Sequence, residues 1–244
     1  MNDEITICIG TDGTTEIARK VLEYSILQSH KGHRRISFVP LSDPPCYREL
    51  GTATGFSLQR WRVPEIRGYD GWAIYLDADQ LVFSDIADLW DIATQPRRTD
   101  TSAWCTYYHG RPETSVMLID CACAKYSWPT LEATVDHLRS LDRDGRSTYY
   151  SFVMSGGHLR RLPAQIPSYW NHLNQYEPGV TRLLHFTGQM TQPWRYPEHP
   201  LAKLWKAALL EALKVGRVHP DDVRAACNQP AAWECMHRYW LSVL

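Results

Sequence analysis

Short apolar runs broken by turn-forming residues set the pattern of the first half of the chain. Ile5-Thr-Ile-Cys-Ile9 runs into Gly10-Thr-Asp12-Gly13-Thr-Thr15, a loop of small residues, and so predicts a buried strand that leaves its sheet through a tight loop. Ile17, Val21, Leu22, Ser25 and Ile26 then recur at helical spacing, with Thr14 or Thr15 placed to cap the helix and His30-Lys-Gly32 to stop it. Ile36 to Leu41 predicts a second strand, and the β-α-β order predicts a parallel pair with a right-handed crossover. Ligands of such sheets gather at the carboxyl ends of strands, which makes Asp12 a candidate contact. The alternative is a turn carboxylate bonded to its own backbone.

After a Pro-, Gly- and Ser-rich stretch from Ser42 to Gly55, Phe56 to Pro64 predicts a short helical segment that ends at the proline. Ala73 to Leu76 predicts another strand, and Ser102 to Tyr107 and Ser115 to Ile119 two more, with Tyr107 to Glu113 as a loop between them. His109 and Glu113 in that loop either line a cleft or are solvated. Trp128 to Leu141 has an amphipathic helical pattern. Three further helices are expected at Pro200 to Val215, from His219-Pro220-Asp-Asp222, and at Pro230 to Leu244. The last carries the stripe Trp233, Met236, Tyr239, Trp240, Leu241 and Leu244, a face for packing on the domain.

The candidate chemistry lies where the Trp72-Ala-Ile-Tyr-Leu run ends in Asp77-Ala-Asp79. Side chains at i and i+2 of a strand share a face, so both carboxylates can reach one cation if the chain stays near-extended. Hard cations such as magnesium or manganese prefer carboxylate oxygens and leave positions for phosphate oxygens, which points to a diphosphate ligand. Two exposed acids opening a turn is the competing reading. Arg60 and Arg62 precede the strand, and a guanidinium turned inward there would orient an acid or hold a donor group.

Composition narrows the partners. The 244 residues carry 26 basic and 27 acidic side chains, so no global field favours nucleic acid. No apolar run approaches the roughly 18 residues of a membrane span, and the polar start argues for the cytoplasm. The 7 cysteines lack the spacing of a zinc site or a disulfide framework, so they read as free thiols, with Cys121-Ala-Cys123 the one close pair.

Arg60-Trp-Arg-Val-Pro64, Gly68 to Trp90 with its Asp77-Ala-Asp79, and Ile166-Pro167-Ser-Tyr-Trp170-Asn171 leading through His185-Phe186-Thr187-Gly188 to Gln192-Pro193-Trp194 together resemble glycosyltransferase family 8. The resemblance implies an α/β GT-A fold: a Rossmann-like mixed central sheet flanked by helices over residues 1–195, with a helical C-terminal extension, 196–244, packed on the same domain. It implies Asp77, Asp79 and His185 as ligands of Mn2+ or Mg2+. It also implies a nucleotide-sugar site made by Gly10, Thr11, Asp12, Arg60, Asp77, Ala78, Asp79, Gly188 and Gln192. The activity implied is retaining transfer of a hexose, glucose or galactose, from a nucleotide sugar, UDP-linked, to an acceptor hydroxyl. A homo-oligomer is compatible with it.

Several positions depart from the family pattern. Glu113 stands where an Asn is common, Arg146-Ser147 where Asp-Gln opens a helix, Gln192 where a Lys is usual, and Thr14 and Thr15 where an aromatic follows the acid. These changes fall around the sugar and phosphates. They support a second reading, a non-catalytic nucleotide-sugar-binding protein. A third, a haloacid-dehalogenase-type phosphatase with Asp77 as nucleophile, is opposed by the position of the motif in mid-chain.

Overall fold

The computed structural model describes residues 4–41, 47–94 and 101–227. In chain order the elements are β1 (Glu4–Gly10), α1 (Glu16–Ser29), β2 (Arg35–Leu41), α2 (Val63–Ile66), β3 (Trp72–Asp77), β4 (Gln80–Val82), α3 (Ile86–Thr94), β5 (Ala103–Tyr108) and β6 (Arg111–Asp120). They continue with α4 (Cys121–Ala124), α5 (Leu131–Ser140), α6 (Arg143–Met154), β7 (Ala164–Gln165), β8 (His172–Leu173), β9 (Leu183–His185), α7 (Ala202–Lys214) and α8 (Pro220–Cys227). Turns of 3-10 helix at Tyr47–Leu50, Ser57–Arg62 and Ser168–Trp170 join them. The third C-terminal helix expected at Pro230 to Leu244, the start of the Pro- and Gly-rich stretch, and Cys46 and Cys235 lie outside the described residues.

The described residues form two compact units. One contains residues 4–12, 32–41, 47–77, 87–94 and 101–170, the other residues 13–31, 78–86 and 171–227. The first holds a six-stranded sheet in the order β2-β1-β3-β6-β5-β7. β1 lies parallel to both β2 and β3, while β6 is antiparallel to β3 and β5, so the sheet is mixed. The inner strands are buried along almost their whole length, as a sheet covered on both faces requires. Pro40, which has no N–H to give a ladder, sits in the outermost strand β2, where that loss is tolerated. On one face Cys8, Ala73, Tyr75, Met117 and Ile119 pack against Leu58 and Trp61 of the Ser57–Arg62 turn and Leu131, Val135 and Leu138 of α5.

In the second unit a three-stranded sheet, β4-β9-β8, shares an apolar cluster with three helices. Ile17, Ala18 and Val21 of α1, Leu81, Leu184, Phe186 and Trp194 meet Trp205 and Leu209 of α7 and Val223 of α8. Lys20 of α1 donates to Asp222 of α8 at 2.6 Å, and that bond together with the His219 N–H holds the Asp222 carboxyl low against the opposing effect of burial.

Several expectations shift for identifiable reasons. Thr15 occupies the N-cap position of α1 but makes no side-chain cap bond. Pro64 does not end the helical segment: the 3-10 turn stops at Arg62, and the proline sits in the first turn of α2, where its missing N–H costs nothing. The Tyr107 to Glu113 loop is a tight hairpin, with Tyr108 opposite Arg111 and positive φ at both His109 and Gly110, so Arg111 to Glu113 belong to β6. α5 begins at Leu131 rather than Trp128, capped by Thr130, whose hydroxyl accepts from the Ala133 N–H. α6 was not anticipated, because its sequence is polar and contains Gly145. It starts from Asp142, which accepts the Gly145 N–H at 2.8 Å.

The described cysteines are free thiols. Burial pushes Cys8, Cys105 and Cys121 up to about 12, which makes them inert as thiolates. Cys121 is buried while Cys123 is exposed, so the close pair does not face one ligand.

His158, stacked edge-on against Trp61 at 4.4 Å between ring centroids, has no hydrogen-bond partner at either nitrogen. Burial lowers its pKa to about 4. The unfolded chain takes up this proton below about pH 6.5, and the folded one only near the lowered value. The contribution is therefore complete above the unfolded pKa and is lost as the pH falls toward the folded one. Urea denaturation should show about 2 kcal/mol of this loss between about pH 7 and about pH 5. In His158→Leu that part of the slope should be absent.

Candidate active site

Asp77 is the last residue of β3, and strand alternation places it on the same face as Tyr75 and Ala73. The Tyr75 hydroxyl donates to Asp77 Oδ1 at 2.5 Å. Arg60, from the Ser57–Arg62 turn, sets Nη2 against both carboxylate oxygens, at 2.9 and 3.1 Å. Its Nε donates to the Ser57 carbonyl at 2.9 Å and its Nη1 to Thr114 Oγ1 at 3.0 Å, and the guanidinium lies 4.9 Å from the centre of the Tyr75 ring. Burial works against the Arg60 charge, but Asp77, then Tyr75, more than offset it and raise its pKa. Thr114 is available because the β5–β6 register shifts between Cys105 and Thr106, leaving Thr114 and Ser115 outside the pairing. Its hydroxyl donates onward to the Met154 carbonyl at 2.7 Å.

Asp79 is held separately. After Asp77 the chain bends, so the near-extended Asp77-Ala-Asp79 segment expected from the sequence is not what forms: Asp79 lies in the bend, and β4 starts one residue later. β4 pairs antiparallel with β9, Gln80 opposite His185, and the Phe186 N–H donates to the Asp79 carbonyl at 2.9 Å. That register brings His185 Nε2 within 3.2 Å of Asp79 Oδ1. Gln192 Nε2 donates to Asp79 Oδ2 at 2.7 Å and to the Phe186 carbonyl at 3.2 Å.

The second unit carries an unresolved polar contact. His185 Nδ1 lies 3.2 Å from Asn171 Oδ1, an acceptor, so Nδ1 carries a proton and Nε2 is the nitrogen turned to Asp79. Asp79 Oδ1 is buried and accepts no hydrogen bond, although Nε2 is 3.2 Å away. Two acceptors held that close repel unless a proton or a cation lies with them. The donor set, carboxylate with imidazole, fits a divalent ion of the Mn2+ type. With Asp77, fixed two residues earlier, Asp79 and His185 make up a buried Asp/Asp/His group able to hold a divalent metal.

The other predicted residues are placed as follows. Gly10 ends β1 opposite Asp77, and a Cβ there would fall 2.2 Å from the Tyr75 hydroxyl. Thr11 is buried, with its hydroxyl 3.4 Å from the Asp12 carbonyl, and Asp12 is half-buried. Ala78 is buried in the bend. Gly188 lies in a turn where a Cβ would meet the Thr191 hydroxyl at 2.4 Å. Gln192 is 2 % exposed and turned inward. Arg195 donates to Thr14 Oγ1 at 2.8 Å. Arg146 and Ser147 lie within α6, and Glu113 accepts the Ser115 N–H. Sequence reasoning missed Tyr75, which strand alternation would have placed beside Asp77, and Thr114, for which the sequence carries no signal.

The fold is a mixed sheet with helices in the GT-A, Rossmann-like arrangement, and it bears a buried group suited to a metal. The fold matches the apo glycosyltransferase GlyE of Streptococcus pneumoniae TIGR4 at a TM-score of 0.62 and 13% identity, over 88% of this chain and 62% of that one. It matches the bifunctional glycosyltransferase WbbM at 0.60 and 11% identity, over 98% of this chain and 52% of that one. The galactosyltransferase LgtC, solved with donor and acceptor sugar analogs, matches at 0.58 and 13% identity, over 88% of this chain and 100% of that one. Likeness at these identities establishes the fold. No family model matches the chain. Protein CDI of Arabidopsis thaliana is 32% identical over 92 residues, which span 35% of this chain and 36% of that protein. Among the described residues, no helix is long and apolar enough to cross a membrane.

Because Arg60 and Asp77 are buried and paired, removing one member strands the other. In metal-free protein, Arg60→Met should cost about 3 kcal/mol in urea denaturation, and the double variant with Asp77→Asn should recover more than half of it.

Proposed function

We propose that the chain is a metal-dependent glycosyltransferase of the family 8 type, moving a hexose from a UDP-linked sugar to an acceptor hydroxyl with retention of configuration. The observation that carries this reading is the buried Asp79 Oδ1, without a hydrogen bond and 3.2 Å from His185 Nε2, on a GT-A fold. Asp77, Asp79 and His185 would hold the ion, which when bound offsets the charge that grows on the departing diphosphate. Arg60 pairs with Asp77, Gln192 donates to Asp79, and Asn171 Oδ1 lies against His185 Nδ1. The free thiols are in keeping with a cytoplasmic enzyme.

A second reading, a nucleotide-sugar-binding protein with little turnover, is favoured by one observation. Both amide hydrogens of Gln192 are directed at protein acceptors, Asp79 and the Phe186 carbonyl, at the position where the family lysine would supply charge to the diphosphate. Manganese-dependent hydrolysis or transfer from a panel of nucleotide sugars distinguishes the two, since the binding protein would retain the donor unchanged.

Calorimetry tests the metal assignment. UDP should bind at least about tenfold more tightly in Mn2+ than in chelator, because a diphosphate and two carboxylates repel without a cation. Equal affinities would remove the assignment. Asp79→Asn should abolish the Mn2+ dependence while leaving the metal-free fold within about 1 kcal/mol of wild type, since it deletes a charge whose Oδ1 is unsatisfied.

A further inference from the structure

We propose that Tyr75 is a positioning residue whose hydroxyl, in the space left by the missing side chain of Gly10, holds Asp77 in the orientation that receives a divalent cation. The inference rests on the metal reading given above. Tyr75 and Asp77 are alternate residues of β3, so their side chains leave the strand on one face. Tyr75 is fully buried, and its hydroxyl meets Asp77 Oδ1 at 2.5 Å.

Arg60 alone does not fix the carboxylate. One nitrogen, Nη2, lies astride both oxygens at 2.9 and 3.1 Å, which sets the distance of the carboxylate but leaves its rotation about that axis weakly restrained. A second donor from another direction, on Oδ1, sets the rotation. That donor is neutral, so it orients the ligand without adding positive charge to repel a cation.

The room for this hydroxyl comes from the neighbouring strand. Gly10 stands opposite Asp77 in the parallel β1–β3 ladder. A Cβ on Gly10 would fall 2.2 Å from the Tyr75 hydroxyl, 2.8 Å from the Phe56 ring and 3.0 Å from Tyr75 Cζ. The glycine is not among those with positive φ, so space and not backbone conformation demands it.

The test measures binding of Mn2+ alone, without nucleotide, by calorimetry, with thermal midpoints alongside. Tyr75→Phe keeps the ring and should fold, yet it should weaken Mn2+ binding about tenfold or more. Tyr107→Phe, which also deletes a tyrosine bond, from the half-buried hydroxyl to the Pro163 carbonyl at 2.7 Å, should bind Mn2+ as wild type does. Wild-type affinity in a folded Tyr75→Phe overturns the inference and leaves the metal reading intact. Wild-type protein that binds no Mn2+ overturns both. A second measurement tests the space argument: Gly10→Ala should lower the thermal midpoint more in wild type than in the Tyr75→Phe background, where the nearest clashing atom is gone. Equal losses would overturn that part.

Discussion

Two carboxylates separated by a single residue, both buried, are the constraint around which the neighbouring structure is arranged. Such charges tolerate burial only when each is supplied with donors. Asp77 receives a guanidinium and a phenol from its own strand and the preceding turn, whereas Asp79 receives the Gln192 amide on one oxygen and has the His185 imidazole, brought by the β4–β9 pairing, beside the other. The bend at Ala78 is what lets consecutive stretches of chain meet two different sets of partners. A straight strand would have offered both acids one environment.

The asymmetry of the two donor sets matters for the chemistry. Asp77 faces a permanent cation and is anchored whether or not a metal is bound. Asp79 is answered by a neutral amide on one oxygen, while the other lies beside the His185 imidazole without a hydrogen bond, an arrangement that is incomplete by itself. An unsatisfied buried acceptor calls for an explanation, and a bound ion is one that this carboxylate and imidazole fit.

Much of this was legible from period and punctuation. β1, α1, β3 and α7 follow from apolar spacing and bounding glycines or prolines, and the acids at the end of β3 stood out because they close an apolar run. What escaped was decided by contacts remote in sequence or by turn geometry. α6 buries only Val153 in its interior, so it has no stripe to detect and is announced by the Asp142 cap alone. The His109-Gly110 turn reads as a loop in the sequence because histidine is an unusual first residue for a turn with positive φ. The inward set of Gln192 depends on Asp79, 113 positions away, and an amide looks the same in a sequence whether it faces a ligand or a neighbouring carboxylate.

The close approach between Gly10 and the Tyr75 hydroxyl also constrains how the sequence can drift. A larger residue at position 10 requires both that the phenol go and that the Phe56 ring, which a Cβ there would meet at 2.8 Å, give way. The two positions are therefore coupled through space, so that the tolerance of each for substitution depends on what occupies the other. The residue opposite Asp77 in the ladder thus sets which side chains position 75 can carry.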